Sequence, residues 1–221
     1  MLKLLLTAAI PLQGFIDKIS PTHQFINLQA LAILAADGKR QPAMWLRQHL
    51  EDFNAGCDWA DTGWKNVRHM YDPNTGFGFK GWPSAVDSLR EYWGLSVRYY
   101  HEHDLRKAFF HLGAAAHLVQ DLCVPHHAAA RLFDGHKQFE QYAVRYRHRF
   151  AAHGDGHYNL ARMPEGWAIN NAIYTREHYS HCLSAACSRT EMHAAVSDLL
   201  PRAQRTTAGF VAYFCQQMRV G

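Results

Sequence analysis

Imidazole and carboxylate side chains recur at helical spacing between residues 111 and 140. His117 and Asp121 stand four residues apart in an apolar stretch, so both side chains leave the same face of the predicted helix. Pro125 must end that helix, because proline has no backbone N–H and pushes the residue before it out of the α-helical region. The sequence therefore places one histidine–carboxylate pair just before a sharp turn.

A second pair of the same kind follows that turn. His126 and His127 lie on the turn itself, and a new helix is predicted to begin near residues 134–135. His136 and Glu140 again stand four residues apart on that helix. Imidazole and carboxylate groups without paired thiolates are typical of catalytic zinc, rather than of closed, cysteine-rich structural sites. The stretch therefore predicts a zinc centre built from two consecutive helices.

The stretch HLGAAAHLVQDLCVPHHA resembles the core motif of the bacterial zinc-dependent phospholipases C. That family shares an all-α fold with a family of zinc-dependent single-strand nucleases. The family spacing from Asp121 to the next histidine ligand matches His127 better than His126. The nucleases end their motif with an aspartate, whereas this chain has Glu140, so the resemblance favours the phospholipase branch.

Residues 54–83 are predicted to form one long irregular loop, because they are rich in Gly, Asn, Asp and Pro. A loop of this length in a compact domain is usually functional. The phospholipase family supplies an aspartate and a histidine from the same place, and His69 with its following aromatic-Asp-Pro matches that pattern. We assign the aspartate to Asp58. The interval from Asp58 to His69 is shorter than in the better-known members, which leaves Asp61 as the alternative.

The resemblance implies a cluster of two to three zinc ions. The first ion would take Asp58, His69, His117 and Asp121, the second His127, His136 and Glu140, and the third His23 and Asp121. The third ion would also need the main-chain groups of a processed N-terminal residue, which is a tryptophan in the family. No tryptophan precedes His23 in this sequence, and Phe15 is the nearest aromatic residue upstream of it. Asp58 would be the catalytic residue that orients or deprotonates the attacking water.

Composition describes one folded domain of 221 residues. Apolar residues make up 48% and charged residues 19%, which excludes a disordered chain. Apolar residues recur at helical spacing outside residues 54–83 and no strand pattern of any length is found. We therefore predict an all-α, single-domain, multi-helix bundle. The net charge of +4 would favour anionic substrates or surfaces without specifying either.

The five cysteines are odd in number and form no C-x2-C pair. This pattern indicates neither a disulfide framework nor a thiolate zinc site. Buried thiols are the favoured interpretation. Cys182 and Cys187 are the pair that could bond if the chain is exported.

Residues 1–14 resemble a short signal peptide, with Lys3 followed by an apolar run that is far too short to cross a bilayer. A buried N-terminal segment is an equal alternative. We expect a helical domain over residues 15–221 and no transmembrane span. The expected location is secreted or periplasmic, with a cytoplasmic location left open.

These patterns together predict a zinc-dependent phosphodiester hydrolase of the phospholipase C class. It would release diacylglycerol and a phosphorylated headgroup from phospholipid through attack of a zinc-bound hydroxide. The expected partners are a phospholipid headgroup and, through peripheral contact, a membrane surface; nucleic acid is not expected. Two alternatives stay open: a zinc-dependent nuclease on the same fold, and a zinc-binding helical module without catalysis.

Overall fold

The computed structural model of the protein describes residues 21–220. In this range the chain forms eight α-helices: α1 (Pro21–Ala36), α2 (Arg40–Gln48), α3 (Leu50–Ala60), α4 (Ala85–His101), α5 (Leu105–Asp121), α6 (His136–Tyr146), α7 (Pro164–Tyr179) and α8 (Arg189–Val220). Short 3-10 helices lie between them at Gly63–His69, His127–Ala129, Arg147–Phe150 and Ser180–Leu183. No strand forms among these residues beyond one isolated bridge between Asp72 and Phe77. The predicted all-α fold is confirmed.

Helix α5 is the centre of the bundle, and small side chains let its neighbours approach closely. A Cβ atom placed on Gly113 would lie 2.0 Å from the carbonyl oxygen of Phe53 on α3. The reverse contact is equally close, since a Cβ on Gly56 would lie 1.8 Å from the carbonyl oxygen of Phe110 on α5. Two glycines thus allow α3 and α5 to cross with their backbones in contact. This crossing holds the C-terminal end of α3 beside the C-terminal half of α5.

The irregular segment is shorter than the sequence predicts. The predicted loop began at residue 54, but α3 continues to Ala60 and a 3-10 helix follows at Gly63–His69. Phe53, Cys57 and Ala60 are fully buried in the core. Burial of this apolar face outweighs the weak helix propensity of the glycine and asparagine residues in the segment. The start of the predicted loop was therefore wrong by about two helical turns.

The C-terminal end of α5 is fixed by buried side chains of α7. Asn171 donates a hydrogen bond from Nδ2 to the carbonyl oxygen of Val119 at 2.8 Å. Thr175 donates from Oγ1 to the carbonyl oxygen of Leu122 at 2.9 Å. These bonds satisfy carbonyl groups that the end of a helix leaves without partners. After them the chain turns at Pro125 and leads through the His127–Ala129 helix to α6.

Along residues 21–220, no helix combines the length and the apolar character needed to cross a bilayer. The two halves of the prediction for the N-terminus, a signal-like segment at residues 1–14 and processing near Phe15, fall outside the described residues.

The crossing of α3 and α5 generates the first prediction. Gly113→Ala should lower the free energy of unfolding by roughly 1–3 kcal/mol, because the new methyl group overlaps a backbone carbonyl that cannot move aside. Urea denaturation followed by circular dichroism measures the change.

Gly94→Ala on α4 is the matched control, because nothing lies within 4 Å of its added Cβ. This substitution should be neutral or raise the free energy of unfolding by roughly 0.5–1 kcal/mol, the usual gain from replacing an exposed helical glycine. Equal stability of the two variants would contradict the close crossing.

Candidate metal centre

A cluster of potential ligand atoms lies where α5 ends. Asp121 Oδ2 is 2.8 Å from His69 Nδ1 and 3.1 Å from His117 Nε2. The two imidazole nitrogens are themselves 3.2 Å apart. All three side chains are buried. The predicted spacing on α5 therefore does bring His117 and Asp121 to one point, and the 3-10 helix Gly63–His69 adds His69 to it.

Asp61 completes this first group. Its Oδ1 lies 3.4 Å from His117 Nε2 and 3.7 Å from His69 Nδ1. Asp61 is the residue directly after α3, so the extension of α3 to Ala60 determines its position. The sequence offered Asp61 only as the alternative ligand. We refer to Asp61, His69, His117 and Asp121 as the first ligand group.

Asp58 lies close to this group but not in it. Asp58 lies in the last turn of α3, three residues before Asp61. Its Oδ2 accepts a hydrogen bond from Gln24 Nε2 at 3.1 Å. Its Oδ1 is buried without a hydrogen-bond partner in the described structure. Three sets of side chains in residues 21–220 have ligand atoms that all lie within 4.8 Å of one another: His23, Asp61 and His117; His69, Asp121 and His127; and His127, His136 and Glu140. Asp58 belongs to none of these sets.

The backbone fixes the tautomer of His69. Its Nε2 lies 3.1 Å from the carbonyl oxygen of Ala60, which can only accept, so Nε2 carries the ring proton. The lone pair of Nδ1 then faces the oxygen of Asp121. Two acceptors meet at 2.8 Å, and Asp121 Oδ2 has no hydrogen bond of acceptable angle among the described residues. Converging lone pairs of this kind fit a cation between them.

The charges in the first ligand group favour a cation. Burial would raise the pKa of Asp61, but His117, with His23 and His69, lowers this pKa to about 2. The pKa of Asp121 likewise lies well below its usual value, since His117 and His127 outweigh the effect of burial. Burial alone would lower the pKa of His117, but Asp121 and Asp61 raise it well above its ordinary value. Two ionised carboxylates thus attract positive charge to this point.

A second ligand group combines the turn and α6. His136 Nε2 lies 3.0 Å from His127 Nε2 and 2.9 Å from Glu140 Oε1, and His127 Nε2 is 3.6 Å from the same oxygen. The other nitrogen of His127 faces Asp121 Oδ2 at 3.8 Å. His127 therefore stands between the two groups, and a metal ion in each would be a near neighbour of the other.

His126 belongs to neither ligand group. Its Nε2 lies 3.1 Å from the carbonyl oxygen of Asp134, and its ring stacks on that of His136 with a centroid distance of 5.1 Å. Burial lowers the pKa of His126 to about 4, which keeps the ring neutral at pH 7. Asp134 has a positive φ of 61°, a conformation that needs support from its surroundings. His126 thus braces the loop before α6.

His23 approaches the first group from α1. Its Nε2 is 3.4 Å from Asp121 Oδ1, and its Nδ1 is 2.7 Å from Gln120 Oε1. The Gln120 amide nitrogen donates to Asn27 and Thr207, so its oxygen is left to accept from the Nδ1–H of His23. The lone pair of Nε2 then faces Asp121. The main-chain ligand that the resemblance adds to a third ion lies outside the described residues.

Two orienting groups were missed by the sequence reasoning. Neither group stands at a recognisable spacing from the histidine that it orients. Gln120 is 97 positions from His23, and Ala60 contributes only its main-chain carbonyl to His69. Outer-shell partners of this type fix the tautomer and direction of ligating histidines. No signal in a single sequence identifies them.

Comparison with known proteins agrees with this geometry. The profile of the family "Zinc dependent phospholipase C" matches residues 22–200, and the chain therefore belongs to this family. Two proteins named phospholipase C from Bacillus cereus are 26% and 25% identical over 192 residues, covering 75% of this chain and 68% of theirs. The predicted family, phospholipase C class and zinc dependence are confirmed at this level.

Solved structures share the fold. The alpha-toxin of Clostridium perfringens from avian strain SWCP superposes with a TM-score of 0.80 at 23% identity, over 92% of this chain and 66% of the toxin. The alpha toxin of Clostridium absonum gives 0.81 at 21% identity, over 91% and 65%. The chain thus spans about two thirds of the length of these relatives.

The positions of the two adjacent turn histidines generate the second prediction. His127→Ala should remove zinc from the second group and weaken the first, because His127 contacts both. His126→Ala should retain zinc and only destabilise the loop before α6. Zinc content measured by plasma mass spectrometry on both variants decides; equal losses, or a larger loss for His126→Ala, would show that the two roles are reversed.

Proposed function

We propose that the chain hydrolyses phospholipid at the phosphodiester bond, with diacylglycerol and a phosphorylated headgroup as products. The observation that carries this proposal is the pair of adjacent ligand groups joined by His127, both at the end of α5. Each group consists of imidazole and carboxylate ligands, which suit zinc. We propose one zinc ion in each group, and a third at His23 and Asp121 if the processed N-terminus reaches them.

Zinc ions held here would neutralise a bound phosphodiester and lower the pKa of a bound water to near neutral. The protein's own contribution is to fix the ligands before substrate arrives. Asp121 is 6% exposed and is enclosed by His69 and His117, so it can serve only as a ligand. Glu140 is 49% exposed and borders solvent beside His136. The open side of the centre therefore lies toward Asp61 and Glu140.

Asp61 is the carboxylate best placed to orient the attacking water. Its side chain is 40% exposed, so it can reach solvent and the first ligand group at the same time. A general base must lie within hydrogen-bond reach of the proton it takes, and geometry comes before pKa in that choice. Asp58 was the sequence's candidate for both ligand and catalytic residue. We propose that Asp61 takes these roles.

An assay of two substrates and two variants tests this proposal. Zinc-loaded protein should hydrolyse at least one phospholipid from a set that differs in headgroup, and leave single-stranded DNA intact. Asp61→Asn should lower the turnover of phospholipid by more than the roughly 10- to 100-fold that follows removal of an outer-shell partner, because this substitution removes a ligand itself. Asp58→Asn should lower the same turnover by less than about tenfold, as expected for a residue that is not a ligand.

The alternatives correspond to other results of the same assay. Turnover of single-stranded DNA without turnover of lipid would establish the nuclease, and zinc binding without turnover of either would establish the non-catalytic module. A larger loss in Asp58→Asn than in Asp61→Asn would return the catalytic role to Asp58.

We further propose that the loop before α6 makes the peripheral membrane contact. Phe133 is 78% exposed and lines an open cavity of about 370 Å³ together with His136 and Lys137. Arg131 and Lys137 are exposed on either side of it, and Asp134 supplies one opposing charge. An aromatic side chain flanked by cations suits the interface of a phospholipid membrane.

Vesicle binding measures this contact. Phe133→Ala should weaken partition onto phosphatidylcholine vesicles by roughly 10- to 100-fold, because burial of a phenylalanine contributes roughly 1.5–3 kcal/mol. Met44→Ala is the control, since Met44 is 50% exposed on α2, a helix that carries no ligand. Equal partition of the two variants onto vesicles would show that the loop before α6 does not contact the membrane.

Export of the chain also stands as a proposal, supported by the signal-like residues 1–14. Amino-terminal sequencing of protein recovered outside the cytoplasm tests it. A chain that starts at Met1 and remains with the cytoplasmic fraction would contradict export.

A further inference from the structure

Two cysteines meet in the segment between α7 and α8. Cys182 is 1% exposed and belongs to a core cluster that includes Phe139 of α6. Cys187 is partly exposed and packs against the same cluster. The chain turns back between them, with the backbone N–H of Cys187 donating to the carbonyl oxygen of Ser184 at 2.9 Å. The turn therefore brings the second cysteine back to the first.

The two cysteine side chains are neighbours on one apolar cluster. Burial raises the pKa of Cys182, and a side-chain hydrogen bond with Cys187 raises it further, to about 12. The remaining three cysteines are all buried elsewhere. Cys187 is thus the cysteine that a reagent in solution reaches first. Cys182, whose raised pKa makes it the slower nucleophile, reacts second.

The same turn packs against the start of α6. A Cβ atom on Gly135 would lie 3.2 Å from the Cα and backbone nitrogen of Ala185 and from the carbonyl oxygen of Ser184. Gly135 has a φ of 98° and directly precedes His136, the first residue of α6. The turn at residues 184–187 therefore forms one wall of the loop that presents His136.

We propose that Cys182 and Cys187 form a disulfide in an oxidising compartment, and that this bond holds the turn against Gly135 and so retains His136 in the second ligand group. The oxidant is a low-molecular-weight disulfide such as oxidised glutathione. Its S–S bond breaks as Cys187 forms a mixed disulfide with one half. Cys182 then displaces that half, so two protons and two electrons leave the protein and two glutathione thiols are produced.

This disulfide stiffens a support of the metal centre rather than adding a ligand. Its formation does not depend on the proposed phospholipase activity, whereas its effect on the metal rests on the second ligand group. The mass of the cysteine peptide measures the bond, and the rate of zinc release measures its effect on the metal.

Mass spectrometry tests the bond itself. The full chain is incubated with oxidised glutathione or with a phosphine reductant, alkylated and digested with trypsin, which cleaves after Arg176 and Arg189. The resulting peptide, residues 177–189, contains Cys182 and Cys187 and no other cysteine. After oxidation it should be unalkylated and two hydrogen masses lighter than the reduced peptide. Two alkyl groups, or a stable glutathione adduct on Cys187, would overturn the disulfide.

Zinc release tests the coupling. With glutathione removed, the oxidised chain should lose zinc from the second group to a chelator about tenfold more slowly than the reduced chain, at the lower end of outer-shell effects. Cys187→Ser should release zinc at the rate of the reduced chain under both conditions. Identical rates for the oxidised and reduced wild-type chains would overturn the link to His136, whatever the mass of the peptide.

Discussion

The buried carboxylate of Asp121 is the feature around which the rest of the site is built. His69, His117, His127 and His23 all direct ring nitrogens toward its two oxygens. An ionised carboxylate taken out of water is costly unless it is paired and hydrogen-bonded. The surrounding histidines and a divalent cation bound among them would offset this free-energy cost. Helix α5 is buried continuously from Leu112 to Asp121, and this burial places the carboxylate inside the protein.

The ligands are held by contacts on their far sides. Ala60 orients His69 and Gln120 orients His23. The ligand His136 is supported differently, by the ring of His126, which the carbonyl of Asp134 holds in place. These bonds fix ring direction before any metal arrives, and preorganisation of this kind lowers the cost of binding. The close crossing of α3 and α5 belongs to the same arrangement, since it brings Ala60 and the following residue to α5.

The sequence predicted the site where its geometry is local. Four-residue spacing on a helix and a proline that ends it are properties of neighbouring residues, so His117, Asp121, His136 and Glu140 were identified together. The choice between Asp58 and its alternative Asp61 is not local, because the position of both carboxylates relative to the histidines depends on how far α3 extends. That length is determined by burial against α5, a contact between distant parts of the chain that composition alone does not show. The orienting role of Gln120 was missed for the same reason.

The most direct test of the account is the position of the metal ions. A crystal of zinc-loaded protein, measured at the zinc absorption edge, gives an anomalous map that locates each ion independently of the protein. We expect one peak bound by Asp61, His69, His117 and Asp121, and a second bound by His127, His136 and Glu140. A peak bound by Asp58 with Asp61 turned to solvent, or no peak between His69 and Asp121, would contradict it.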